Sequence, residues 1–150
     1  MRIIAFDLGK NMAWAHNVLD GLTAHHYTFE GDRPCRFGKI QPWLHTCIGE
    51  CPVKLDAVIY ETPFARGRDA TRSLWGIAAL IEAEASRCGV PVVDAAVPTI
   101  KKFATGSGRA SKEEMIAAAK KFGYKGDNEH EADAVCLLKY AEANLERVLK

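Results

Sequence analysis

The sequence predicts an α/β fold: a mixed five-stranded sheet, with three antiparallel strands followed by two parallel ones, and helices on both faces. Three observations carry this prediction. The chain opens with three short strand-like runs, it then alternates strands with helices, and its later strands are apolar throughout, as buried parallel strands are. Its 150 residues, 48% of them hydrophobic, suffice for one compact core, so we expect a single domain over residues 1–150.

The three opening strands are predicted from apolar runs and from turn chemistry. Residues 2–7 form a run that ends at Asp7, and residues 12–19 and 22–29 form two more. Asp20-Gly21 stands between the second and third runs, and an Asp-Gly pair is typical of a tight hairpin turn. We therefore expect an antiparallel hairpin beside the first strand.

The middle of the chain predicts two helices and the two parallel strands. A helix over about 33–50 is followed by an apolar run over 55–61, which ends at Glu61 and is expected to be a central strand. A second helix over about 69–88 is ended by Gly89, and residues 90–94 form the last strand.

The last third of the chain predicts three helices. The first is short, over 98–103, and the second begins with a capping box at 111–114 (Ser-Lys-Glu-Glu) and runs to about 122. The third is capped at 127 or 128 and runs to about 148.

Charge is distributed unevenly along the chain. The net charge is only +1, but residues 99–125 carry seven lysines or arginines against two acids, which leaves a net −4 on the rest. A basic block beside acidic residues suits a phosphodiester substrate.

The five cysteines are an odd number without a CxxC pair, which disfavours a disulfide framework or a structural zinc site.

No apolar run approaches the roughly 20 residues that cross a bilayer, so no membrane partner is expected. The N-terminus lacks the features of a signal peptide, and we expect a cytoplasmic protein; a viral protein acting in the host cytoplasm or an organellar one also fits.

Three acidic residues are the candidate site. Asp7 and Glu61 end two neighbouring predicted strands, and sites in open α/β sheets form beyond the carboxyl ends of such strands. Asp133 lies early in the last helix, and His130, three residues before it, projects from the same face. Clustered carboxylates repel each other unless a cation offsets their charge, and oxygen ligands suit Mg²⁺. The residues therefore predict a divalent-metal site.

Four stretches carry a resemblance that runs from one end of the chain to the other. They are residues 3–9 (IIAFDLG), 58–64 (VIYETPF), 98–112 (PTIKKFATGSGRASK) and 130–134 (HEADA). In this order they resemble the opening "DxG" strand, the second acidic strand, the lysine-containing DNA-contact segment and the terminal "HxADA" motif of the RuvC family of Holliday-junction resolvases, within the RNase H-like nuclease superfamily.

The resemblance implies an RNase H-like fold and an endonuclease that nicks two strands of a four-way DNA junction symmetrically in recombination and repair. Its products carry 5′-phosphate and 3′-hydroxyl ends. The partners it implies are junction DNA and a second copy of the chain. The cofactor it implies is Mg²⁺, two ions per site, with Mn²⁺ able to substitute.

The resemblance also implies roles for individual residues. The implied metal ligands are Asp7, Glu61, His130 and Asp133. His130 could bind metal or transfer a proton, because imidazole titrates near neutral pH. Lys101 and Lys112 match basic positions that stabilise charge on the scissile phosphate.

The expected DNA contacts surround this site. They are Phe64, Arg66, Arg68, Arg72, Lys101, Lys102, Arg109 and Lys112. Phe64 stands where the family has an aromatic wedge that enters the crossover, although a loop residue folded onto its own core is an equal alternative. The helix over 69–88 is apolar around much of its circumference, which fits a dimer interface, or else Trp75 packs within its own monomer.

Other functions stay open at this stage. An RNase H-fold nuclease could act on other branched DNA or on structured RNA, and a catalytically silent junction-binding module would keep the fold without the chemistry. An actin-like kinase shares the opening strand, but such proteins need two duplicated domains, which 150 residues do not supply.

Overall fold

The computed structural model describes residues 1–19, 21–64 and 67–148. Within them a single mixed sheet runs in the order β3-β2-β1-β4-β5. The strands are β1 (Ile3–Asp7), β2 (Asn11–His16), β3 (Thr23–Thr28), β4 (Ala57–Glu61) and β5 (Val92–Ala95). Strand β1 is antiparallel to β2 and parallel to β4, so the predicted division into three antiparallel and two parallel strands is confirmed.

Helices cover both faces of the sheet, as predicted. They are α1 (Arg33–Leu44), α2 (Arg68–Arg87), α3 (Val97–Thr105), α4 (Lys112–Lys121) and α5 (Glu129–Val148). Two separate hydrophobic cores result: α1 and α2 pack on one face, and α3, α4 and α5 pack on the other. No helix in the described part of the chain is long and apolar enough to cross a membrane.

The tight two-residue hairpin turn predicted at Asp20-Gly21 is wrong. His16 and Thr23 face each other at the end of the β2–β3 ladder, so residues 17–22 connect the strands. The connection is longer because Asn17 pairs with β1: its Oδ1 accepts a hydrogen bond from the Ile3 amide at 2.7 Å, and its own amide donates to the Ile3 carbonyl. Asp20 lies outside the described residues.

Helix boundaries follow the predicted signals where capping groups are present. Ser111 and Glu114 form the expected capping box, and Gly89 follows α2 with a φ of 65°, in the left-handed region that favours glycine. Two other bounds differ from the prediction: α3 extends to Thr105 and ends at Gly106, which has a φ of 85°, and the helix predicted over 33–50 changes from α to π geometry at His45. All five cysteines are free.

The two faces of the sheet differ in side-chain size. Towards α5 the strands present mostly alanine, namely Ala5, Ala13, Ala15 and Ala57, and α5 meets them with Ala132 and Ala134. Towards α1 and α2 they present Phe6, Met12, Trp14 and Tyr60. Small side chains let two elements approach closely, so α5 can lie nearer to the sheet than the helices opposite.

Candidate active site

Asp7 and Glu61 lie side by side at the carboxyl ends of β1 and β4. Phe6 pairs with Tyr60 in the parallel ladder, so Asp7 and Glu61, the next residues, end their strands at the same edge of the sheet. Phe6 and Tyr60 point to the α1 face of the sheet. Because side chains alternate along a strand, the acids that follow them both point to the α5 face. The two carboxyl groups lie close enough to interact electrostatically.

The first turns of α5 complete the cluster. Asn128 begins this helix, with its side-chain oxygen accepting hydrogen bonds from the amides of His130 and Glu131 at 3.0 Å. His130 Nδ1 then lies 3.0 Å from Asp7 Oδ2. Asp133 follows on the same face of the helix, close enough for its charge and that of Asp7 to interact. The structure therefore brings together the four residues predicted as metal ligands.

The acids of this cluster are held in an environment that disfavours their charge. Burial, followed by repulsion from Asp7 and Asp133, raises the pKa of Glu61 well above its usual value. Burial and the charge of Asp7 raise the pKa of Asp133 to about 6. Burial also raises the pKa of Asp7, although its hydrogen bond with His130 opposes the change. That same hydrogen bond raises the pKa of His130.

Lys101 and Lys112 approach the cluster from different sides. Lys101, half-buried on α3, donates from Nζ to the Ala110 carbonyl at 2.9 Å, and its charge lowers the pKa of both Glu61 and Asp133. Lys112, at the start of α4, is exposed and forms a 2.5 Å ion pair with Glu129. Lys101 thus lies near enough to the buried acids for its charge to act on them, whereas Lys112 is held at the rim.

Glu129 is a residue of this site that sequence reasoning missed. It stands directly before His130, its Oε1 lies 3.8 Å from His130 Nε2, and its other oxygen holds Lys112. The available signal was an acid in the first turn of a helix. That pattern is common for reasons of helix stability alone, so it did not single Glu129 out.

The predicted DNA contacts are spread around the site. Phe64 is 81% exposed, so the alternative that it folds onto its own core is wrong. Arg68 and Arg72 are exposed at the start of α2 and line an open hollow of about 650 Å³. Lys102 and Arg109 are exposed without a part in the acidic cluster. Arg66 lies outside the described residues.

The donor set fits a hard divalent cation. No group of three or more His, Cys, Asp or Glu side chains is already arranged to hold a metal ion within residues 1–19, 21–64 and 67–148. Mg²⁺ does not need such a cage, because it keeps several waters and is held by one or two carboxylates together with substrate phosphates. Burial is the main cause of the raised pKa values of the three carboxyl groups, with repulsion between the acids adding to it at Glu61 and Asp133, and a bound cation would favour their charged forms.

The architecture is an RNase H-like fold, and it is shared by two solved structures of RuvC. The chain is similar to the structure of Thermus thermophilus RuvC, with 20% identity, a TM-score of 0.75 and coverage of 97% of this chain and 96% of that one. It is also similar to T. thermophilus RuvC in complex with a Holliday junction substrate, with 21% identity, a TM-score of 0.79 and the same coverage. No family model and no curated protein matches the sequence. The predicted resemblance is therefore confirmed at the level of the fold.

Proposed function

We propose that this protein is a Holliday-junction resolvase, a metal-dependent endonuclease that nicks two strands of a four-way DNA junction symmetrically. The observation that carries the proposal is the convergence of Asp7, Glu61 and Asp133, with Lys101 beside them, at one edge of a RuvC-like sheet. The similar RuvC structure with a bound Holliday junction supports the choice of substrate. Residues 1–150 act as one nuclease domain in this proposal.

The acids would hold Mg²⁺, or Mn²⁺ in its place, and such an ion would supply water activation and charge neutralisation at the phosphate. Asp7, Glu61 and Asp133 are the ligands. His130 orients Asp7 through its 3.0 Å hydrogen bond and holds a proton beside it, and of the two roles predicted for His130 this geometry favours the second. Lys101 faces the acids and stabilises negative charge on the scissile phosphate.

Lys112 contributes to the proposed site when DNA binds. In the described structure its ammonium group is paired with Glu129 on an exposed surface. Such a pair is weak because water screens it, so an incoming phosphate competes for the ammonium group at little cost. Glu129 therefore positions Lys112 at the edge of the site before DNA arrives.

The DNA surface extends from the acids along the start of α2. Phe64, exposed three residues after Glu61, is placed to enter the crossover, where an apolar wedge can separate stacked bases. Arg68 and Arg72 line the neighbouring hollow and supply phosphate contacts. Lys102 and Arg109, exposed on the other side of Lys101, extend the basic surface. Arg66 is proposed as a further DNA contact from the sequence alone.

A homodimer is the proposed assembly, because symmetric nicking needs two active sites. Helix α2 buries Ile77, Ala78 and Ile81 in its own core, yet Trp75 stays 50% exposed on the same helix. A half-exposed tryptophan beside the exposed Ala79 is the kind of surface that a second copy covers. Light scattering at micromolar concentration should give twice the chain mass; a monomer would remove the basis for paired nicks.

The cutting of a substrate panel tests the proposal. Labelled four-way junction, flap, RNA–DNA hybrid and linear duplex are incubated with Mg²⁺, and the products are compared. We expect symmetric nicks in the junction and little cutting of the linear duplex. Preferred cutting of the flap or of structured RNA would support the alternative, an RNase H-fold nuclease with another substrate. Equal cutting of the linear duplex would rule out a resolvase while leaving a nuclease.

A further inference from the structure

A cluster of aromatic rings lies open to solvent on the α1 face, beside the edge strand β3. Its members, Trp14, Tyr27, Phe29 and Trp43, line a hollow of about 310 Å³ together with Lys39, and we name these five residues the aromatic platform. Trp14 and Tyr27 share this face of the sheet because their ladder partners are His25 and Met12, and Met12 lies in the α1-side core. None of these residues belongs to the acidic site.

The rings support one another. Trp43 meets Trp14 at a centroid distance of 4.8 Å and Phe29 at 5.5 Å, and Tyr27 meets Phe29 at 4.9 Å, all in edge-to-face geometry. Phe29 is 3% exposed and anchors the group, whereas Tyr27 is 57% exposed. A large ring fixed by a buried neighbour and open to solvent can stack on a flat ligand with little loss of conformational freedom.

Charge indicates the class of ligand. Helix α1 has no acid between residues 33 and 44, and Lys39 is its cation that lines the hollow; Arg33, on the same helix, is paired instead with Asp69 of α2 at 3.0 Å. Lys39 donates a hydrogen bond to the Glu30 carbonyl, and the Glu30 carboxylate is paired with Lys10 at 3.5 Å. Stacking rings next to cations are the features with which proteins bind unpaired nucleotides.

A second, smaller hollow continues from the platform along the same face. It has a volume of about 180 Å³, shares Trp14 as a wall and is lined also by His16, Cys47 and Cys51. Within the described residues, His16 Nδ1 is the buried side-chain nitrogen or oxygen without a hydrogen-bond partner. Burial also lowers the pKa of His16.

The position of the platform fits the proposed substrate. The end of β3 that carries Tyr27 lies at the same end of the sheet as Asp7, because β2 pairs Asn11 with Thr28 and Ala13 with Asp7. The proposed dimer helix α2 packs on the opposite side of α1 from β3, over β5. The platform and the acids therefore lie at the same end of the sheet, on its opposite faces.

We propose that the aromatic platform binds unpaired nucleotides of a DNA strand, with bases stacked on Tyr27 and Trp14 and phosphate beside Lys39. The inference takes only its ligand class, nucleic acid, from the proposed function. Binding of a DNA strand to the platform needs neither a metal ion nor cleavage. Aromatic grooves also bind proline-rich peptides, but Lys39 beside the rings, on a helix without an acid of its own, favours a polyanion.

Binding of fluorescein-labelled (dT)12 in EDTA, followed by fluorescence anisotropy, tests the platform. We expect Tyr27→Ala to weaken binding about tenfold, since stacking on one ring contributes on that scale, and Tyr27→Phe to stay within about twofold because the ring remains. Lys39→Gln should weaken binding and reduce its salt dependence. Tyr27 is mostly exposed, so its removal does not threaten the fold.

The outcomes separate this inference from the proposed function. Equal (dT)12 binding by the wild type and Tyr27→Ala overturns the platform, whatever the protein cuts. Binding of a proline-rich peptide in preference to (dT)12, lost in Tyr27→Ala, also overturns it and assigns the groove to a peptide partner. Tyr27-dependent (dT)12 binding by a protein that fails to cut junctions would keep the platform and refute only the resolvase.

Discussion

The two faces of the sheet are built from side chains of different size, and they differ in what they can do. On the α5 face, alanines such as Ala5 and Ala15 meet Ala132 and Ala134, and the helix lies close enough for His130 to reach Asp7 at 3.0 Å. On the α1 face, tryptophan, phenylalanine and tyrosine rings fill the space, and part of that face near β3 stays open.

The difference explains how one sheet can carry an active site on one face and a binding surface on the other. A close helix fixes the positions of buried, mutually repelling carboxyl groups, which is what a metal-dependent reaction requires. On a face covered by aromatic rings the helices cannot approach the sheet as closely, and the rings leave broad surfaces on which flat ligands or other chains can pack. We therefore expect changes on the α5 face to affect chemistry and changes on the α1 face to affect binding.

Asp7→Asn should have the largest effect. Removing one buried carboxylate from the cluster is expected to lower cutting by at least about a thousandfold, on the scale of losing a principal electrostatic group. Junction binding should stay within a few-fold, because basic residues supply it. Gel-shift and cutting assays on the same junction measure both. Loss of binding together with cutting would show that the α5 face serves binding as well.

Lys101→Ala should come next. Its ammonium group lowers the pKa of Glu61 and Asp133, so its removal is expected to slow cutting by about a hundredfold with a smaller change in junction affinity. Lys102→Ala is the matched control, since Lys102 is exposed and takes no part in the cluster. Similar effects of the two changes on single-turnover rates would mean that Lys101 acts only through general charge.

Ala5→Leu tests the close approach itself. Three added carbons between β1 and α5 should cost about 1–3 kcal/mol of unfolding free energy and slow cutting, because α5 must move away from Asp7. The neighbouring Ile4→Leu, on the α1 face, keeps volume and should cost less than about 1.5 kcal/mol without slowing cutting. Urea unfolding and cutting rates measure both changes. An unchanged rate in Ala5→Leu would contradict the role of the small side chains.

Asp133→Asn should stabilise the protein when metal is absent. The pKa of Asp133 is raised from 3.8 to about 6, so the folded state holds this proton more tightly than the unfolded chain, and the stability it contributes is lost as the pH rises from about 4 to about 6. In EDTA at about pH 8 the variant should gain about 1–3 kcal/mol of unfolding free energy, and the gain should shrink as the pH falls through 6 towards 4. The exposed Glu113→Gln should show no such dependence in urea unfolding. A destabilised Asp133→Asn at pH 8 would mean that the carboxylate is paired in the fold.

Much of the fold could be predicted because its signals are local. Apolar runs predicted the five strands, and the capping box at Ser111 and the glycine after α2 predicted helix ends. The β2–β3 turn could not be predicted from Asp20-Gly21, since it depends on the hydrogen bonds of Asn17 to a strand that is distant in sequence. The π-helical turn at His45 depends likewise on packing against α2, where His45 Nδ1 lies 2.9 Å from Glu84.

The candidate site was predictable as far as its residues end strands or follow a motif. Asp7 and Glu61 end strands, Asp133 and His130 share one face at the start of the last helix, and the resemblance supplied Lys101 and the ligand role of His130. Glu129 was missed because an acid in a first helical turn is common. The aromatic platform was missed because its four rings lie on two strands, a loop and a helix, and only their packing brings them together. The roles of the site residues remain predictions that the variants above test.

The products formed from a supercoiled plasmid with an extruded cruciform test the central claim most directly. A dimer that nicks two strands symmetrically within one encounter should convert the plasmid to linear DNA in the presence of Mg²⁺. Asp7→Asn should leave it supercoiled, and a plasmid without the inverted repeat should stay uncut. Nicked circles as the sole product, or equal cutting of the plasmid without a cruciform, would contradict a resolvase.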